Sequence, residues 1–299
     1  MPCDELHEYI GDDMLYVGGG LIKERTETGY TDELGVRRDT SGRNRLIGDW
    51  GGILEYPLPE PSLDVYAFPY GGDPRRFAGL NSEALRAQGR FVMLGMTGLF
   101  DIGWSLRGFE AFLADLASGG HFVDELLDGA LQFQLESVAA IPEGVDGVRV
   151  GEDWGLQKGL ITGARIWRKY LKPRLRILYG AIRARGLRLF IHSCGDIAEL
   201  FPDIIELGVE GVHPVQPEAM DIEALHREYG KDITMYGGIG TQSALVYGKP
   251  EDVVAEAASR LRTFSDGGYI LGPAGAISTD ANIDNVIALT DFAMGGCKI

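Results

Sequence analysis

The stretch LRLFIHSCGDIAELFPDIIELGVEGVHPV (187–215) decides the fold. It opens on an apolar, β-rich run and turns at a polar step containing a glycine. It then takes up helical spacing of apolar residues and returns to a second β-rich run. Neither run keeps a strict apolar–polar alternation, which is the pattern of parallel strands covered on both faces. The same unit recurs along the chain. Candidate strands are MLYVGG (14–19), RFVMLGM (90–96), DGVRVG (146–151), LRLFIHSC (187–194), EGVHPV (210–215), DITMYGG (232–238) and GYILGP (268–273). From residue 90 on they are separated by segments of helical period, among them GWSLRGFEAFLADLA, FVDELLDGALQFQLESVAA and ARIWRKYLKPRLRILYGAIRARG. Strand alternating with helix predicts βα units, and six clear strands with an early seventh approach the eight of a (β/α)8 TIM barrel. The rival, an open doubly wound sheet, carries a glycine-rich phosphate loop after its first strand. Neither GxGxxG nor GxxxxGK[ST] leads into a helix here.

Punctuation supports the βα reading. Asp196 is placed to cap the helix after HSCG, and Pro250 sits where a first-turn proline loses no hydrogen bond. Gly186, Gly208 and Gly230 each follow a helical run and suit a left-handed C-terminal cap. Residues 20–75 differ, being rich in Gly, Pro, Asp and Arg. They read as a loop-rich cap within one domain spanning 1–299, not as a domain of their own.

Composition narrows the functions. The chain has 28 basic against 44 acidic residues, a net charge of −16, which disfavours binding to nucleic acid phosphates. No apolar run approaches the roughly 20 residues that cross a bilayer, and the acidic start MPCDELHEYIGDD is unlike a signal peptide. The expectation is a soluble cytoplasmic protein with no membrane partner. Three cysteines, Cys3, Cys194 and Cys297, are too few and too scattered for a disulfide framework.

In a barrel, chemistry gathers where strands end and βα loops begin. The residues just past the strands include Glu152 and Asp153, then His192 and Cys194, then His213 and Gln216. Two of the chain's five histidines fall in this set. His192 and Cys194 have two readings. One is a buried histidine and thiol at a strand end. The other is zinc, whose favoured ligands are imidazole and thiolate, with about three protein ligands at a catalytic site. Alternation sends residues 192 and 194 to one side of the strand, and Glu152 or Asp153 could supply the third ligand. For these two acids the plain alternative is a helix cap or a solvated loop acid, and for His213 a loop histidine. Cys297 follows the last helical run, so a barrel would place it on the opposite face.

The segments EDWGLQKGLITGARIW (152–167), LRLFIHSCGDIAELFPDIIELGVEGVHPVQPEAM (187–220), MYGGIGTQ (235–242) and GGYILGPAGAISTDANIDNVIAL (267–289) resemble the uroporphyrinogen decarboxylase superfamily. Within it the chain is similar to the branch of anaerobic microbes related to corrinoid-dependent methyltransferases. The resemblance covers residues 30–294. It implies a (β/α)8 barrel and one of two chemistries: decarboxylation of a porphyrinogen, or methyl transfer involving a cobalt corrinoid held by a partner protein. In the thiol-activating methyltransferases zinc is bound by an H-x-C pair and a later cysteine. His192 and Cys194 match the pair, but near Gly275, where the later cysteine falls, there is none. Family members usually also begin with a longer segment that supplies the first barrel strand. In true decarboxylases that segment carries an arginine motif for substrate carboxylates, which is absent here.

The leading expectation is therefore a methyltransferase component working on a small methylated substrate and a corrinoid-binding protein. Zinc would be held by His192, Cys194 and Glu152, with Glu152, Asp153, His213 and Gln216 as catalytic or pocket-lining residues. The alternative is a uroporphyrinogen-type decarboxylase, and a third reading is a barrel that binds a tetrapyrrole or partner without catalysis. Whether the chain forms a homodimer is left open.

Overall fold

Seven strands form one parallel sheet in the computed structural model of the chain, which describes residues 14–40, 52–78, 80, 87 and 89–295. Strand β1 (Met14–Gly18) precedes a small antiparallel sheet of β2 (Ile22–Thr26), β3 (Gly29–Asp32), β4 (Arg37–Asp39) and β5 (Gly52–Glu55). Then follow β6 (Phe91–Thr97), helices α1 (Leu99–Arg107), α2 (Phe109–Ser118) and α3 (His121–Ala140), and β7 (Gly147–Gly151). A short hairpin of β8 (Gly155–Leu156) and β9 (Gly159–Leu160) leads to α4 (Gly163–Tyr170), α5 (Lys172–Ala184) and β10 (Arg188–His192). The chain continues through α6 (Phe201–Glu206), β11 (Gly211–Val215), α7 (Ile222–Tyr229), β12 (Thr234–Ile239), α8 (Ala244–Tyr247) and α9 (Pro250–Thr263). It finishes with β13 (Tyr269–Pro273) and α10 (Ile283–Met294).

The sheet order is β1-β6-β7-β10-β11-β12-β13, each strand beside its predecessor in the series, as successive βα units give. All seven strands expected from the sequence are present. Among the described residues the end strands β1 and β13 do not pair with each other, so the sheet is a curled TIM-like half-barrel. The region expected as a loop-rich cap contains the four-stranded antiparallel sheet. Cys3, His7 and Cys297 lie outside the described residues.

Alternation assigns the two faces of the sheet. Val148, Val150, Leu189, Ile191, Val212 and Met235 are fully buried under the helices, each contributing about 1.5 to 3 kcal/mol relative to exposure. The opposite face carries Gly95, Arg149 and Phe190 in one register layer, then Thr97, Gly151, His192 and His213 in the next. That second layer meets the C-terminal ends of the strands.

Two long helical segments are broken, each at a residue that explains the break. Gly108, at φ 92°, separates α1 from α2, and Pro173 in the first turn of α5 marks the join with α4. Asp196 accepts the Ala198 N–H at 3.0 Å from one residue before Ile197, the N-cap of a short 3-10 turn, so it is not itself the cap expected, while Pro250 opens α9. Gly186 and Gly208 take the left-handed conformation, whereas Gly230 does not: its φ is −62°, continuing the turn of α7. No described helix is long and apolar enough to cross a membrane.

Candidate metal centre

The loop after β10 and the loop after β7 pack backbone against backbone. A side-chain carbon on Gly195 would fall 2.5 Å from the Gly155 carbonyl carbon, and Gly195 stands at φ 80°. Glycine at both positions lets the two loops touch, which places Asp153 beside the H-x-C pair. The contact is stitched by polar bonds. Asp196 N–H donates to the Leu156 carbonyl at 2.7 Å, Trp154 N–H to Ser193 Oγ at 3.0 Å, and Cys194 N–H to Asp153 Oδ1 at 2.9 Å. Buried Gln216 supports the loop from below, its side-chain oxygen accepting the Gly195 N–H.

Among the described residues, the ligand atoms of Asp153, His192 and Cys194 converge, all within 4.8 Å of one another. His192 Nε2 is 3.6 Å from Cys194 Sγ and 3.6 Å from Asp153 Oδ1. Tetrahedral zinc with ordinary Zn–N, Zn–O and Zn–S bonds separates neighbouring ligand atoms by about 3.4 to 3.6 Å. The donor set, one carboxylate, one imidazole and one thiol, also suits zinc. These residues fit the ion.

Glu152, expected as the third ligand, lies elsewhere. Alternation along β7 turns Arg149 and Gly151 to the site, so Glu152 points into the helix layer and Asp153 returns. The Glu152 side chain is fully buried, and its two oxygens accept the N–H groups of Leu99 and Phe100 at 2.7 and 3.0 Å, the first turn of α1. Burial, reinforced by nearby Asp101, pushes its pKa up to about 8 despite those amides.

His213 stands behind His192, not beside Cys194. The two Nδ1 atoms are 2.8 Å apart, and Arg149 Nη1 lies 3.3 Å from His213 Nδ1. A guanidinium has only donors to offer, so His213 Nδ1 is an acceptor. His192 must then donate from its own Nδ1, which leaves a lone pair on His192 Nε2, the atom that faces Cys194 and Asp153. Burial pushes His192 down to about 4, against the pull of Asp153, and holds His213 well below the ordinary range. Both rings are neutral at pH 7. Burial, with Asp153 and Asp101 adding to it, raises the Cys194 thiol to about 12.

Three residues of this neighbourhood escaped the sequence reading. Asp101, in the first turn of α1, accepts the Trp104 Nε1–H at 2.9 Å and the Asp153 N–H at 3.3 Å. Desolvation and then the Asp153 charge raise it to about 7. Tyr236 packs its ring 4.4 Å from that of His213. Arg149 alone left a signal, a charge at the centre of the apolar run DGVRVG.

A methyltransferase from Methanosarcina mazei superposes with a TM-score of 0.73 at 18% identity, covering 95% of this chain and 80% of that one, which shows a shared fold. A B12-independent methionine synthase from Shewanella sp. W3-18-1, in complex with selenomethionine, aligns at TM-score 0.42 and 12% identity, over 72% of this chain and 66% of that one. Comparison with curated proteins gave no match. The family described as uroporphyrinogen decarboxylase (URO-D) matches residues 92–295, from β6 through α10 and so across every residue of the candidate centre. On that match, which takes in well over half of the sequence, the chain belongs to the uroporphyrinogen decarboxylase family.

Proposed function

We propose that this chain, built on a (β/α)8-type barrel, is the methyltransferase component of a corrinoid-dependent system. It would move a methyl group between a heteroatom of a small methylated substrate and the cobalt of a corrinoid carried by a separate protein. The observation that carries the reading is the convergence of Asp153 Oδ1, His192 Nε2 and Cys194 Sγ at the C-terminal end of the sheet. The solved structure that superposes well bears the description methyltransferase, which supports the same class.

Methyl transfer leaves or consumes an electron pair on the heteroatom, so the site must tolerate negative charge there. Zinc held by Asp153, His192 and Cys194 would supply Lewis acidity for that charge. The protein's part is to keep the three donors ready. His192 is held neutral with its Nε2 lone pair outward, Asp153 is oriented by the Cys194 amide, and the two loops are fixed by Gly155, Gly195 and Gln216. Asp101, beside Asp153, can hold or release a proton near neutrality.

The test is to load the protein with zinc and follow the cob(I)alamin to methylcobalamin spectral change with candidate methyl ethers, amines and thioethers. Turnover that disappears in Cys194→Ala supports the reading. Decarboxylation of uroporphyrinogen at roughly 1 per second or faster, with no methyl transfer, would overturn it in favour of the decarboxylase.

A further inference from the structure

The hairpin of β8 and β9 rises from the loop after β7, and its base is firmly held. Trp154, just before it, is buried and packs edge-on against Trp167, with 5.1 Å between ring centroids. The Ile161 N–H closes the base by donating to the Trp154 carbonyl at 2.8 Å. One strand of the hairpin lies on the H-x-C loop: the Leu156 carbonyl accepts the Asp196 N–H at 2.7 Å, and a side-chain carbon on Gly155 would fall 2.5 Å from the Cys194 carbonyl oxygen. The outer half stands clear of the protein. Leu156 is 57% exposed, and a side-chain carbon on Gly159 would meet nothing within 4 Å.

The tip of the hairpin reaches a second platform. Gln157 Nε2 donates to Gln242 Oε1 at 2.8 Å in an exposed bond. Gln242 belongs to the loop after β12, which is as firmly built as the hairpin base. Glu218 Oε1 accepts the Gln242 N–H at 3.1 Å and the Ser243 hydroxyl at 2.7 Å. Fully buried Asn285 donates to the carbonyls of Ala244 and Gly248 at 3.1 and 2.8 Å. In the sheet β10 and β11 stand between β7 and β12, so the link crosses three strand spacings, about 14 Å. The hairpin thus spans the ends of the two strands that carry His192 and His213 and touches the loop that carries Cys194. The centre stays open on the other side, where the Asp153 side chain is 49% exposed against 24% for His192. Two rigid platforms joined across the mouth by an exposed amide–amide bond form a strap. Its latch parts at little cost, because exposed groups exchange their hydrogen bonds readily with water.

We propose that Gln157 and Gln242 are the specificity-determining pair of this mouth, fixing the size of molecule that reaches the metal centre. Latched, the hairpin admits small molecules past Asp153. Released, it uncovers Cys194 for a bulky ligand. The pair touches no reacting atom and acts by holding the strap in place. For the reaction proposed above it separates the two partners by size: the small methylated substrate enters beneath the strap, and the corrinoid reaches the centre only once the latch has parted. That division rests on the methyltransferase reading, whereas size selection at Cys194 rests on the strap alone.

The test uses metal-free, full-length protein and two reagents that share one reactive group, N-methylmaleimide and the much larger fluorescein maleimide. Mass spectrometry of the Cys194 peptide follows its labelling separately from that of Cys3 and Cys297. A change in thiol reactivity alters both rates alike, so their ratio reports size selection. In the wild type Cys194 should favour the small reagent roughly tenfold more than an unstructured cysteine peptide does, since only the released fraction admits the large one. Gln157→Ala and Gln242→Ala should each speed the large reagent about 2- to 10-fold, the population change expected for one lost hydrogen bond, and leave the small one unchanged. Gln157→Glu combined with Gln242→Arg, which rebuilds the bridge as an ion pair, should return the ratio to the wild-type value or beyond. A wild-type ratio equal to that of the peptide, or a ratio unmoved by both single substitutions, overturns the proposal. Zinc uptake measured alongside keeps the two readings apart: size selection in a protein that takes up no zinc removes the methyltransferase mechanism and leaves the strap standing, and zinc uptake without size selection does the reverse.

Discussion

His192 and His213 face each other Nδ1 to Nδ1 at 2.8 Å, so one ring must donate and the other accept. Arg149 settles the direction, because its Nη1 can only donate to the same His213 nitrogen. Removing His213 leaves the His192 Nδ1–H without its acceptor and frees the ring to rotate or to take the other tautomer. His213→Ala should lower zinc affinity about 10- to 100-fold, the usual effect of losing a partner behind a metal-bound histidine. His213→Gln, which restores an amide oxygen, should recover part of it. Competition with a chelator measures the affinity, and the 15N shifts of His192 report the tautomer. Unchanged affinity in a folded His213→Ala protein would remove His213 from this role.

Asp153 and Glu152 are neighbours in sequence with opposite duties. Asp153→Asn should weaken zinc binding by more than the loss of a supporting partner does, that is by more than about 100-fold, with little change in folding. Glu152→Gln should do the reverse. It keeps one acceptor for the amides of Leu99 and Phe100 but turns an NH2 toward the other, so the melting temperature falls while metal content holds. Metal analysis of both purified variants distinguishes them, and an exchange of the two phenotypes would refute the assignment.

The difference between these two acids was legible in principle. The strand DGVRVG and the pair His192 and Cys194 were readable from apolar runs and alternation, as were all seven parallel strands. Carrying alternation two residues past Gly151 would have selected Asp153. What the sequence does not display is where a loop turns once the strand ends, and here that depends on Gly155 meeting Gly195, a contact between residues forty positions apart. The breaks at Gly108 and Pro173 were visible as residues but were outweighed by the unbroken apolar period around them. Asp101 lay in the short link between the strand RFVMLGM and the helical segment GWSLRGFEAFLADLA and offered no pattern at all, because its importance comes only from the proximity of Asp153.

Gly98 and Gly95 share a strand end and should respond oppositely to alanine. A side-chain carbon on Gly98 would stand 2.0 Å from the Glu152 carboxyl carbon, which has no room to retreat. Gly98→Ala should therefore cost about 2 to 4 kcal/mol, through overpacking and through loss of the two amide bonds to Glu152. A side-chain carbon on Gly95 would meet only the Val17 carbonyl, at 3.7 Å, so Gly95→Ala should shift stability by no more than about 1 kcal/mol, in the favourable direction if anything, since glycine in a strand is the more costly residue. Urea unfolding of the two variants provides the comparison. A Gly98→Ala protein as stable as the wild type would mean that Glu152 can leave its cap freely.

Zinc uptake should depend on pH through Cys194. With its thiol raised to about 12 in the metal-free protein, Cys194 is protonated throughout the neutral range and must lose that proton to bind as thiolate. His192, held down to about 4, is already neutral there and contributes no proton. One proton is thus released per ion bound, and affinity should rise about tenfold for each pH unit between roughly pH 5 and 9. The sign follows from competition: lowering the pH returns the proton to sulfur and weakens zinc. Near pH 4 protonation of His192 adds a second competitor, and the dependence should steepen. Chelator competition across this range, with proton release measured in weakly buffered solution, gives both quantities. In Cys194→Ser any residual metal affinity should lose most of its slope at neutral pH. A flat profile in the wild type would mean that sulfur does not bind the ion as thiolate, and the site would reduce to Asp153 and His192, too few protein ligands to retain zinc firmly.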